Sequence, residues 1–457
     1  MERNIKLTEG NISKALIRLA LPIMATSFVQ MAYNLTDMMW LGRVGTNAVA
    51  ASGTAGFFTW LGSALFTIPK IGAEVGVAQS YGKEDLDRAK KFTSNTLKLD
   101  MLIALIYSLI LIIFRHQIIG FFRLGDSEVI KMATDYLLIV SFGLIFYFLN
   151  PVFSGVFNGS GDSSTPFKIN TVGLIINIIL DPLMIMGIGP FPEMGIKGAA
   201  LATIIAQFTV TILFVIISKK KSQLFQGLNL LRIPFDKDCI KTIFKLGLPV
   251  AIQQGLFASI AMVIARIIAQ WGPTPVAVQK VGSQIESISW MTAGGFSTAI
   301  SAFVGQNYGA EKWYRIKKGY RKGLLIVGSI GIFATLLLGF GAAPLFKLFI
   351  PKDPEALQIG IRYLRILAVS QFFMSIEIAS QGAFNGLGKT IPPSLVGITF
   401  NALRIPASLI LSTTFLGLDG VWWSISISSV FKGIILTIWY IIILEKLFPS
   451  ADKRSCI

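Results

Sequence analysis

Over 457 residues the chain is 53% hydrophobic but only 14% charged, against about 25% in ordinary soluble domains, which argues against a water-soluble fold. The net charge of +17 does not make a nucleic-acid face, because the basic residues are spread over alternate loops instead of gathered in one patch. Cys239 and Cys456 are the only cysteines, and they imply no disulfide framework.

Apolar runs such as 101–114, 198–218 and 323–345 approach the ~20 residues that cross a ~30 Å hydrocarbon core. They lack the alternation of barrel strands, so they predict an all-α membrane protein with twelve transmembrane helices. The first six fall at about 15–40, 48–78, 94–114, 133–157, 167–187 and 197–217. A basic linker covers 218–241, and the second six follow near 242–270, 276–305, 322–345, 361–384, 391–414 and 419–445. The chain thus divides into an amino-terminal lobe over 1–217, the linker, and a carboxy-terminal lobe over 242–457. The first helix carries Asp37 and no small-residue cleavage site, which reads as a retained span and not as a signal peptide.

Basic residues concentrate at Arg3, Lys6 and Lys14, at Lys83, Arg88, Lys90 and Lys91, and at Lys219, Lys220 and Lys221. They recur at Lys312, Arg315, Lys317, Lys318, Arg321 and Lys322, and at Lys453 and Arg454. This positive-inside pattern, blurred by Arg115, Arg123, Lys131, Lys347 and Lys352, places both termini and the linker in the cytoplasm of a multi-pass cell-membrane protein.

The two sets of six are related by an internal repeat. At an offset of 227, Arg18 to Pro22 returns as Lys245 to Pro249, Gln79 to Gly82 as Gln306 to Gly309, Arg88 to Lys91 as Arg315 to Lys318, and Phe157 to Gly161 as Phe384 to Gly388. Further on, Asn177 and Pro182 match Asn401 and Pro406. An even number of spans per half makes the repeat parallel, two pseudo-symmetric six-helix lobes about an axis normal to the bilayer, the plan of transporters that work by alternating access.

Ionisable groups inside predicted spans each need a reason, since one at the bilayer centre costs at least about 2.5–3.5 kcal/mol. They are Asp37, Lys70, Glu74 and Asp181 in the first half and Arg266, Glu286, Glu377 and Arg404 in the second. Asp181 follows Asn177 by one helical turn, and Pro182 frees a carbonyl near Ile178. Asp37 clusters in the same way with Tyr33 and Asn34. Such oxygen-rich faces suit a hard cation or a proton-carrying network; the blander reading has each acid capping a helix or meeting a loop lysine. Asp37 and Asp181 correspond to Ile264 and Ile405 in the second half, so an ion site would belong to the first half alone. Lys70 and Glu74 are spaced to pair with each other. Glu286 and Glu377 are candidates for substrate contact or a second coupling role, with Arg266 and Arg404 as possible ion-pair partners. His116 falls at the end of a span, and the segment around Lys389 lacks the glycine of a phosphate loop because position 383 is Ala383.

With these residues in view, the chain resembles the multidrug and toxic compound extrusion (MATE) family. The likeness rests on Leu21-Pro22, on Tyr33 to Asp37, on Ala78-Gln79 with Tyr81-Gly82, on Asn158-Gly159 with Gly161-Asp162, on Asn177 to Pro182, and on Gly198 to Thr203. It is nearest to prokaryotic members, in which it implies that Asp37, Asn177, Asp181 and Thr203 form the cation site. That site would bind a proton, or a sodium ion as metal, and its occupancy would reposition the first helix. The chain departs from members with a seventh-helix carboxylate, having Phe257 or Ala258 there, and Glu377 lies about one turn from an acid seen in some relatives.

The resemblance implies export of small organic cations and other lipophilic drugs in exchange for H⁺ or Na⁺, by a functional monomer surrounded by membrane lipids, with no cofactor beyond the coupling ion and no nucleic-acid partner. The rival reading is a flippase of a lipid-linked saccharide precursor, which needs a cationic cavity to which Arg266 and Arg404 would contribute. An enzyme is not expected, because no metal cluster or nucleophile–base pair is visible.

Overall fold

The computed structural model describes residues 6–122, 124–221, 223–226, 234–349 and 353–447. Arg3, Arg123, Lys352, Lys453, Arg454 and Cys456, the side chain of Lys221, and linker residues 222 and 227–233 lie outside them. Among the described residues the regular structure is wholly helical. In chain order the helices are α1 (Ile12–Val44), α2 (Thr46–Gly82), α3 (Leu86–Gly120), α4 (Ser127–Gly159), α5 (Ser164–Ile185), α6 (Ile196–Lys221) and α7 (Lys237–Ile268). After a short 3₁₀ turn come α8 (Pro273–Gly309), α9 (Trp313–Phe340), α10 (Ala342–Phe349), α11 (Pro354–Gly386), α12 (Ile391–Ser412) and α13 (Leu418–Leu447).

Eleven of these helices are long and apolar enough to cross a membrane. The twelfth expected span is α8, which has 37 residues but carries Gln279, Lys280, Gln284, Glu286 and a run of small polar residues that lower its hydropathy. It occupies the place of α2 in the repeat. Several helices begin earlier than their apolar runs, because the caps lie outside the membrane-length segment. Asp85 accepts from Arg88 N–H at 2.9 Å and starts α3 at Leu86, and Asp353 accepts from Ala356 N–H at 3.0 Å and starts α11. These carboxylates satisfy N–H groups that a helix start leaves open.

One expected helix is two. The apolar run over 322–345 is interrupted after Phe340, where a side chain at Gly341 would strike the Leu337 carbonyl at 2.5 Å. The chain restarts as the eight-residue α10, whose Phe346 packs where Gly360 of α11 leaves room.

Contacts divide the chain into two units, and the division does not fall in the linker. The first unit holds Ala25–Leu248; the second holds Lys6–Met24 and the described residues from Pro249 onward. α1 and α7 therefore each change unit part-way along, close to Pro22 and Pro249, where a missing N–H interrupts the helical ladder. Within the second unit Met24 lies over Gly295 of α8, and within the first Ile243 lies over Gly72 of α2.

The repeat is visible in packing as well as in sequence. In the first unit a Cβ at Gly155 or Gly159 of α4 would meet the backbone carbonyls of Lys70 and Glu74 on α2. In the second, Gly382 and Gly386 of α11 stand in the same relation to Ser297 and Ser301 of α8. Each pair is displaced by the same 227 positions. Glycine is needed there because two helix backbones touch, the close approach by which helices associate within lipid.

Candidate functional site

The first unit gathers a polar cluster where α1, α5 and α6 meet. α5 and α6 form a tight hairpin. Met194 and Gly195 N–H groups bind the carbonyls of Met184 and Ile185, both at 3.1 Å, and Gly187, at φ 68°, turns the chain where a side chain would collide with the Glu193 backbone. Gly198 then rests against the Met184 carbonyl, and Gly173 receives Val210. Between these two contacts lie Asn177 and Asp181 on one helix and Thr203 on the other.

Asn177 and Asp181 are fully buried, and Asn177 Nδ2 donates to Asp181 Oδ1 at 3.0 Å. α1 joins them through two contacts with Thr203: its hydroxyl donates to Asp37 Oδ2 at 3.4 Å, and its carbonyl accepts from the Tyr33 hydroxyl at 3.2 Å. The Asp37 carboxyl also interacts electrostatically with Asp181 and Asn177. Tyr136 of α4 stands within electrostatic range of both acids. Asn34, expected to share this cluster, is exposed; it follows Tyr33 by one residue and so points about 100° away around the helix.

The electrostatics are unbalanced. Among the described residues no Lys or Arg acts on either carboxylate. Asp37 Oδ1, Asn177 Oδ1 and Asp181 Oδ2 are buried and accept no hydrogen bond from a protein donor. Two carboxyl groups gathered in a medium of low dielectric repel each other unless positive charge, a proton or a cation, joins them. Three vacant acceptors and a hydroxyl oxygen form a donor set for a hard monovalent cation and equally for a proton network. The described residues hold no group of three His, Cys, Asp or Glu side chains suited to a transition metal.

The second unit treats the acids of its helices differently. Glu377 pairs with Lys432 of α13 at 3.0 Å, not with either arginine expected from the sequence. Arg266 is exposed on α7, and Arg404 donates to Ser428 at 2.7 Å and Ser429 at 3.0 Å. Glu286 accepts from Gln371 at 2.9 Å. Spacing along the chain cannot select a partner on another helix, so the two arginines looked as eligible as any base. Lys432 was missed although its signal was plain, a lysine inside the apolar run 430–444. Asp100 of α3 was missed too; it is fully buried, and neither of its oxygens has a hydrogen-bond partner.

The MatE family model matches residues 22–183 and again 249–410, the stretches that the internal repeat superposes. A relative from Thermotoga maritima named as a probable multidrug resistance protein NorM is 28% identical, over 94% of this chain and 92% of that protein. A Shewanella oneidensis relative named as an FAD transporter is 27% identical over 94% of both. The fold is that of a MATE crystal structure in a bent conformation, with a TM-score of 0.91, 21% identity and coverage of 99% of this chain and 100% of that one. A Pyrococcus furiosus transporter of the MOP superfamily superposes with a TM-score of 0.89 at 22% identity, over 98% and 99%. The twice-matched family model, together with the internal repeat, establishes that this chain belongs to the MATE family of membrane transporters.

Proposed function

We propose that the protein is a secondary multidrug exporter that moves lipophilic and cationic organic compounds out of the cell in exchange for H⁺ or Na⁺, with Asp37, Asn177, Asp181 and Thr203 as the coupling site. The observation that carries this reading is the pair of interacting carboxyl groups, joined through Asn177 and Thr203, with three buried acceptor oxygens that no protein donor satisfies and no basic neighbour. A monovalent cation entering there turns repulsion into attraction and draws α1, through Asp37 and Tyr33, onto α5 and α6. Loss of the cation loosens that grip. A helix held in a cation-dependent way is the two-state element that coupling requires. The names of the relatives from Thermotoga maritima and Pseudomonas putida, both probable multidrug resistance proteins, support the choice of cargo.

Each elementary charge moved inward releases about 2.3 kcal/mol per 100 mV of membrane potential. That supports a concentration ratio of about fiftyfold for an uncharged compound, whereas a monovalent cation exchanged one for one moves no net charge and draws on the ion's concentration gradient alone. The basic loops orient both termini to the cytoplasm, and a monomer suffices because the whole cluster lies within one chain. The flippase reading is not favoured: of its two arginines one is exposed and the other is tied to serines, so they offer no joint pyrophosphate clamp.

The test is export of a fluorescent monocationic dye from vesicles holding the purified protein, with a pH gradient and a sodium gradient imposed separately. Transport on one gradient that disappears in both Asp37→Asn and Asp181→Asn is the expected result. Undiminished gradient-driven transport in both variants would remove the site assignment.

A further inference from the structure

The first turns of α9 are strongly cationic. Lys312, Arg315, Lys317, Lys318, Arg321 and Lys322 fall within eleven residues that contain no acid. Two of the six are used by the protein itself. Lys312 donates to the Thr8 carbonyl at 3.0 Å, and Arg315 donates to the carbonyls of Leu7, Glu9 and Gly10 at 3.1, 2.9 and 3.0 Å. Among the described residues no carboxylate pairs with the other four.

Tyr314, Lys318, Arg321 and Leu325 are spaced to form a single stripe along the helix, and all four are exposed. Lys318 Nζ stands 5.4 Å over the Tyr314 ring. Beyond Leu325 the stripe continues through Ile332 and Leu336, 51% and 50% exposed. Leu336 lies about 22 Å along the axis from Arg321, more than the ~15 Å of hydrocarbon in one leaflet. One face of α9 is therefore basic where the helix starts and apolar through the depth of a leaflet.

The repeat supplies an internal control. On α3 the corresponding residues are Asp87, Lys91, Ser94 and Lys98, and there the protein covers the face itself. Asp236 lies 4.0 Å from Lys91 and donates its N–H to Asn95 at 2.9 Å, while Lys98 Nζ stands 5.3 Å over the Phe235 ring. The counterparts of Phe235 and Asp236 are Thr8 and Glu9. Their carbonyls go to Lys312 and Arg315, and the Glu9 carboxylate pairs with Lys6 at 3.6 Å, so the α9 stripe stays open.

We infer that this stripe binds an anionic phospholipid, its phosphate held by Lys318 and Arg321 between Lys317 and Lys322, its acyl chains along Leu325, Ile332 and Leu336. A cluster of bases beside a span attracts anionic headgroups. A soluble anion would gain only at the basic end, and a zwitterionic lipid, whose ammonium offsets its phosphate, would gain only at the apolar end. An anionic lipid gains at both. The inference concerns the lipid-facing surface and holds whatever the cargo.

The experiment titrates the full-length protein in non-ionic detergent with phosphatidylglycerol labelled on one acyl chain, read by fluorescence anisotropy. Unlabelled phosphatidylglycerol is expected to displace the probe at concentrations at least about tenfold below those of phosphatidylcholine or inorganic phosphate. Lys318→Gln with Arg321→Gln is expected to weaken the probe about tenfold or more, since each base near an anionic surface contributes about fivefold. Lys90→Gln with Lys91→Gln removes the same charge from α3 and is expected to change binding by less than about twofold. Lys318→Arg with Arg321→Lys keeps both charges and is expected to bind within about threefold of the parent, which separates loss of the site from loss of the fold. Equal weakening by the two glutamine pairs would mean that net charge alone is read, and displacement by inorganic phosphate as readily as by phosphatidylglycerol would make this a soluble-anion site. Either result overturns the inference, as does unaltered binding after Lys318→Gln with Arg321→Gln.

Discussion

The two units share a scaffold and differ in how they handle buried charge. In both, glycines at matching positions bring two helix backbones into contact, Gly159 against Glu74 and Gly386 against Ser301. On that common frame the first unit carries two acids with no base acting on them, and the second sets Glu286 and Glu377 against Arg404 and Lys432. One position shows the change directly. Asn150 in the first unit binds Gln207 and Thr211 of α6 through neutral hydrogen bonds, and its counterpart 227 residues on is Glu377, which binds Lys432 of α13. The tie between these two helices is kept while its chemistry is exchanged. An uncompensated pair of acids attracts cations; a compensated set holds helices together.

The comparison breaks most visibly at the first unit's acids. Asp37→Asn or Asp181→Asn is expected to cut gradient-driven dye export by about a hundredfold or more, since removing a coupling group abolishes the exchange itself, with unfolding temperature near that of the parent. In the second unit, Lys432→Met leaves Glu377 buried and unpaired, and a loss of about 3–5 kcal/mol in stability is expected. Adding Glu377→Met should return most of it. Thermal unfolding of purified protein reads both, and a mild single variant would mean that the pair is solvated.

Smaller effects sharpen the shared scaffold. Gly159→Ala and Gly386→Ala should each destabilise by about 1–3 kcal/mol, because each forces two backbones apart, and near-equal losses would confirm that the contacts are equivalent. Thr203→Val removes one hydroxyl donor to Asp37, and an effect of about 1 kcal/mol on cation affinity is expected, read as a shift in the ion concentration that half-saturates export. The smallest change is at Asp100, whose buried carboxyl lacks partners. Asp100→Leu should be neutral or stabilising by about 1 kcal/mol, because no hydrogen bond is lost; strong destabilisation would show that the carboxyl is bound.

Much of this was legible in the residues, for physical reasons that also mark the limits. Long apolar runs gave the spans and the repeat gave their pairing, because lipid demands continuous hydrocarbon and internal similarity survives in close contacts. Helix starts escaped, as at Leu86, because a cap such as Asp85 works outside the membrane, where hydropathy is silent. The split of α9 from α10 escaped because the apolar run continues across it, and hydropathy does not register where the helical ladder is interrupted. Asp37, and Asn177 with Asp181 one turn further on, stood out as polar groups in apolar helices, whereas Thr203, an ordinary residue in a span, entered only through family resemblance. Tyr136, Gln371 and Lys432 belong to clusters assembled from separate helices, and periodicity carries no information on which helices meet.

The most direct test of the first unit's role compares single variants from each unit on one assay, the initial rate of monocationic dye export as the imposed H⁺ or Na⁺ gradient is stepped. The expected result is a gradient-dependent rate that Glu286→Gln retains and that Asp37→Asn and Asp181→Asn flatten to the rate without a gradient. A rate that still climbs with the gradient in both aspartate variants, and is flat in Glu286→Gln, would contradict the assignment and move coupling to the second unit.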